Sequence, residues 1–167
     1  MVLGFVVMLT TAATVYNKNI QRQIIISREH AKVLGMFIKA RSSGLTIPKA
    51  DSGERICGFG VHIDTTARSA TYFKDVVAAS SDCSAANHIY DGAAEKIDEL
   101  FLNNQATFGS SGLTDVVFIP PSGSAIINND PNINSANITL NGTSFDLPKY
   151  INVTTAGQIT EATSTTP

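Results

Sequence analysis

The chain has 167 residues and a mass of 17.7 kDa, which suits one domain with a real buried core. Only 16% of it is charged, against roughly 25% in an average soluble domain, and Ser, Thr, Asn and Gly fill the gap, a habit of secreted β-rich domains. A net charge of -2 and a pI near 5.8 disfavour a generic nucleic-acid binder, and two cysteines exclude a Cys-rich zinc site or a disulfide-dense scaffold.

Charge is unevenly placed. Residues 1–55 hold eight Lys/Arg and three Asp/Glu, while residues 56–167 hold four and eleven. A basic front and an acidic body point to two parts with different neighbours.

The first 16 residues (MVLGFVVMLTTAATVY) carry no charge. As a helix they reach about 24 Å, short of the roughly 30 Å hydrocarbon layer of a bilayer. The helical pattern continues beyond them. Ile20, Ile24, Ala31, Leu34 and Ile38 recur on one face of a 3.6-residue period, and Lys18, Arg22, Arg28, Lys32, Lys39 and Arg41 occupy the other. No proline interrupts residues 2–43, Gly44 supplies a stop, and Pro48 blocks continuation. The expectation is one helix of about 40 residues. It is apolar all round at its start (1–16) and amphipathic at its end (17–44). Its first half needs lipid or other subunits around it.

After Pro48 the pattern changes to short β-branched and aromatic runs between turn residues. Strands are expected over 56–63, 70–78, 96–102, 116–119, 125–128, 136–140, 150–154 and 158–160, with Asn141–Gly142 as a two-residue hairpin turn. Helix first and strands after gives an α+β fold, a long N-terminal helix packed on an antiparallel β-rich head over 45–160. Residues 161–167 read as a flexible polar tail.

With the helix MVLGFVVMLTTAATVYNKNIQRQIIISREHAKVLGMFIKARSSGL, the segment DVVFIPPSGSAIIN (115–128) and the closing INVTTAGQIT (151–160) in this order, the chain resembles type IV pilin-like proteins, most closely the minor pseudopilins of the GspH/FimT kind. The family's precursors carry a Gly-Phe cleavage dyad with Glu at the fifth mature position. Gly4–Phe5 supplies the dyad, but Leu9 stands at the fifth position, so the start of the family helix is expected upstream of Met1. The resemblance implies a structural subunit without a catalytic site or cofactor. It would partner other pilin or pseudopilin subunits through Val2, Leu3, Phe5, Val6, Val7, Leu9, Val15, Ile20, Ile24, Leu34 and Ile38. Before assembly it would rest in the inner membrane as a single-pass protein, its head in the periplasm or outside the cell. One apolar stretch serves both settings because lipid and neighbouring helices alike exclude water. Two rival readings are a DNA-binding minor pilin, opposed by the acidic body and a closing segment without arginine, and a membrane-tethered ligand-binding β-domain.

Cys57 and Cys83 form one disulfide if the head is exported to an oxidising compartment, and are otherwise two buried thiols. Asp82, Asn87, Asp91 and Glu95 bring oxygen ligands near an Asp-Gly turn, a weak calcium candidate. Ala85 and Ala86 stand where an ion loop wants oxygens, so turn chemistry is the stronger reading. His30 reads as a surface helix residue, His62 as an outward strand residue and His88 as a turn residue. No metalloprotease, redox or phosphate-loop motif is present, and Asp98 and Glu99, adjacent in a strand, point to opposite faces.

Overall fold

The computed structural model describes residues 2–46, 53–109, 112–142 and 148–162, with side chains described over 20–161 of these. A single helix, α1 (Val2–Gly44), runs for 43 residues, about 64 Å at the usual rise. It ends where Leu45 N donates to Arg41 O at 3.0 Å and Thr46 N to Ser43 O at 3.1 Å, closing its last turn. Among the described residues nine strands follow: β1 (Glu54–Asp64), β2 (Ser69–Ala78), β3 (Lys96–Phe101), β4 (Ala106–Phe108), β5 (Asp115–Ile119), β6 (Ser124–Ile127), β7 (Ser135–Gly142), β8 (Lys149–Thr154) and β9 (Ile159–Ala162). They form a five-stranded sheet in the order β3-β2-β1-β5-β6 and a four-stranded sheet in the order β4-β7-β8-β9, every pair antiparallel. The protein is therefore α+β, one helix packed on antiparallel sheets.

The helix contributes Ile26, Val33, Phe37 and Ala40 to the core, all at most 2% exposed. Their spacing of seven, four and three keeps them on one face. Against them stand Val61, Ile63, Tyr72, Val116 and Phe118 of the larger sheet and Ile138, Leu140, Ile151 and Val153 of the smaller one. In β7 and β8 the alternation is plain: Ile138 and Leu140 are buried, whereas Asn137 is exposed and Thr139 half-buried. The turn before β9 is built on Gly157, at φ +76°, where a Cβ would collide with the Gly123 carbonyl. Only glycine suits both the backbone angle and the contact.

Each of the eight expected strands overlaps an observed one. The ninth, β4, is three residues long, too short to show a period. Asn141–Gly142 is not a turn: both residues end β7, opposite Thr107 and Ala106 of β4. The pair lost its hairpin role because its backbone pairs with β4, and residues 143–147 lie outside the described residues. Part of the expected tail also folds, because Glu161 and Ala162 pair with Ile151 and Tyr150 at the sheet edge. Residues 163–167 lie outside the described residues, as does Pro48.

The stripe through Ile20, Ile24, Ala31, Leu34 and Ile38 stays largely clear of the head, with Leu34 alone packing partly against the core. Ile24 is 61% exposed and Ile38 53%, whereas Phe37 is fully buried. The helix has two apolar stripes roughly 140° apart at 3.6 residues per turn, and the sheets take the one containing the aromatic ring. Among the described residues no helix is long and apolar enough to cross a membrane. The side chains of Val2, Leu3, Phe5, Val6, Val7, Leu9 and Val15 lie outside those described.

Candidate functional site

Two surfaces stand out, one on the helix and one on the far side of the larger sheet. On the helix, burial begins at Ile25 and Ile26, and residues 20–24 are all exposed. The bare stripe, Ile20, Ile24, Ala31 and Ile38, runs past the head and is continued at the helix end by Leu45, 51% exposed. Beside it lies a groove of about 270 Å³ between α1 and the edge strand β3, floored by Gly35, Met36 and Leu100. Phe101, 61% exposed, belongs to the same strand. Two of the helix lysines are engaged within the chain. Lys39 reaches Asp98 at 3.4 Å and lies 4.8 Å above the Tyr72 ring, and Lys32 pairs with the buried Glu29 at 2.8 Å. The other carboxylate oxygen of Glu29 is buried without a hydrogen-bond partner. His30 is not a surface residue. It is 6% exposed, and its Nε2 lies 3.3 Å from the Tyr150 carbonyl oxygen, because its position on the helix turns it toward β8.

The second surface is a strap, residues 79–95, that returns from β2 to β3 over the outer face of the larger sheet. Beneath it β1 carries glycines at 58 and 60, and the fully buried Phe73 of β2 supplies the bulk. Gly60 sits where a Cβ would come 2.5 Å from the Phe73 ring and 2.8 Å from the Val116 carbonyl oxygen. Phe73 fills that space, and Tyr90 of the strap packs on it at 5.3 Å between ring centres. A bulge in β1 leaves Cys57 without a partner residue on β2, and Cys57 is disulfide-bonded to Cys83, with 5.3 Å between Cα atoms.

Polar anchors surround this packing. His62 of β1 lies opposite Asp115 of β5, and its Nδ1 is 3.0 Å from Asp115 Oδ1. The same carboxylate oxygen accepts the backbone N–H of Tyr90 at 3.1 Å, and the Tyr90 ring lies 5.1 Å from the imidazole. His62 is thus half-buried and partnered rather than simply outward. His88, held at φ +53°, sets its Nδ1 2.7 Å from Asp75 Oδ2. Glu95 closes the strap: its Oε1 accepts the N–H of Val76 at 3.4 Å and its Oε2 that of Asp91 at 2.8 Å. Asp75, Asp115 and Glu95 are 1%, 2% and 4% exposed.

These environments move protons. The hydrogen bond to Asp115 raises His62 above its ordinary 6.5, against the opposing pull of burial. Burial raises Asp75 above 3.8 despite its bond to His88, and burial likewise raises Glu95 above 4.5. The four residues weighed for calcium each make hydrogen bonds within the strap. Asp82 caps the short 3₁₀ turn Cys83–Ala85, accepting the N–H of Ser84 at 2.9 Å and the Ser84 hydroxyl, bonds that hold its carboxyl below 3.8. Asn87 donates to Asp91 at 2.8 Å, and Glu95 faces backbone amides. Among the described residues no group of three or more His, Cys, Asp and Glu is arranged to hold a metal ion. Asp75 and Asp115 were missed in the sequence. Their signal was an acid leading a β-branched run, Asp-Val-Val in both cases.

Comparison with family models, curated proteins and solved structures finds no match to this chain.

Proposed function

We propose that the protein is a structural subunit of a type IV pilus-like or type II secretion filament, a minor pilin or pseudopilin that assembles through α1. One observation carries the reading: a 43-residue helix gives one apolar stripe to its own head and keeps a second, through Ile20, Ile24 and Ile38, uncovered. A helix buried by a head of this size needs one such stripe. The second has a physical use when other helices, or lipid, stand against it. In this reading the head is carried outside the inner membrane. The disulfide suits that oxidising setting.

The test is crosslinking in the producing cell's membrane. Single cysteines at Ile24 and Ile38 are oxidised in place, with Thr160→Cys on the head as the control. The expected result is a ladder of multimers from the helix positions alone. A single monomer band at both helix positions overturns the filament reading and favours a tethered monomer.

A further inference from the structure

We infer that residues 79–95 form a clasp gated by proton uptake, closed when His62 carries charge against Asp115 and loosened when it loses it. The argument rests on what faces what. His62 looks at Asp115 from β5, Asp64 from its own strand and the Tyr90 ring from the strap. His88 looks at Asp75 from β2, and Asp91 lies close enough to act on Asp75. Glu95 shares that neighbourhood with Asp91 and Asp75. Five carboxylates therefore gather around two imidazoles, and three of the five are almost wholly buried. Among the described residues no lysine or arginine forms an ion pair with any of the five. Among the described residues the two imidazoles are the basic side chains paired with these acids.

When the His62 ring is protonated, the buried Asp115 has a charged partner; when the ring is neutral, Asp115 keeps its hydrogen bonds but has no countercharge, the costly state for a desolvated anion. The strap bears that cost directly. The Tyr90 N–H is held by Asp115 and His88 by Asp75, so two anchors of the second half of the loop end on buried carboxylates of the sheet, while the Lys74 N–H, donating to the Glu95 carbonyl at 3.0 Å, fixes the loop's end. The first half is fixed otherwise, by the Cys57–Cys83 bond. That bond is the hinge. Opening frees residues 84–94 without releasing the loop from the sheet, and it uncovers Phe73.

Amide hydrogen exchange on the full chain at pH 5.5 and 8.5, corrected for intrinsic amide chemistry, reads the clasp. Protection of Tyr90 and Asp91 is expected to fall about tenfold more than that of Val116 in β5. In a His62→Gln variant the strap is expected to be weakly protected at both values. Equal pH response of strap and β5 in the wild type overturns the inference, whether or not the variant folds. So does a variant that keeps the wild-type slope.

Discussion

Three proton sites in the strap region shift in one direction, and the sign of their combined effect follows. Below its unfolded value of 6.5, a histidine held by Asp115 contributes its full stabilisation, and it loses that contribution as pH climbs through the higher folded value. Asp75 and Glu95 also keep protons longer in the folded chain. Their ionisation subtracts from stability as pH rises from 3.8 and 4.5 through their folded values. Asp82 acts oppositely, but it is exposed and titrates at the acid end. The melting temperature is therefore expected to be lower at pH 8.5 than at 5.5, by about 2–4 °C for each kcal/mol lost in a chain of this size. Calorimetry across that window checks it, and a flat or rising profile contradicts it. A second expectation belongs to one backbone angle. Gly157→Ala forces a side chain into the left-handed region, which costs about 1–2 kcal/mol, and against the Gly123 carbonyl besides. Denaturant titration is expected to show a loss above that range.

At the scale of the element, the helix separates two kinds of apolar residue that look alike in sequence. Phe37→Ala empties a fully buried site and is expected to cost about 3–5 kcal/mol. Ile24→Ser changes an exposed site and is expected to leave stability within about 0.5 kcal/mol while weakening the crosslinked ladder. Chemical unfolding reads the first and the membrane crosslinking assay the second. Periodicity revealed the helix and its length because a 40-residue run without proline has few other readings. It did not reveal which stripe the head takes. Ile20, Ile24 and Ile38 satisfy the period as well as Ile26, Val33 and Phe37 do, and only the sheets' shape decides. The strands were readable through β-branched alternation, down to the limit set by β4, whose Ala-Thr-Phe is shorter than a pattern. Asn141–Gly142 misled because turn propensity is local, while the pairing of β7 with β4 is not.

For the molecule as a whole, the strap was the part least open to sequence reading. His62, Asp75, His88 and Asp115 are scattered over 54 positions and meet only because β1 pairs with both β2 and β5. The disulfide ties this layer to the sheet across a separation of 26 residues. Replacing both cysteines by serine is expected to lower stability by about 3–4 kcal/mol, the loop-closure entropy of a link of that span. Thermal melting of the oxidised wild type against the variant measures it, and an unchanged transition contradicts it. The same variant is expected to lose exchange protection in residues 79–95 before β5 does.

The helix's two stripes also fix a direction. The rod is fastened to its cap along one flank and bare along another, roughly a third of a revolution or more away. Wherever such rods bundle by their bare flanks, each cap is swung away from the bundle axis. The larger sheet turns its inner surface to its own rod, so the layer farthest from the axis is the one bearing His62, His88 and Tyr90. The part of the molecule that senses acidity is then also the part that meets the surroundings first.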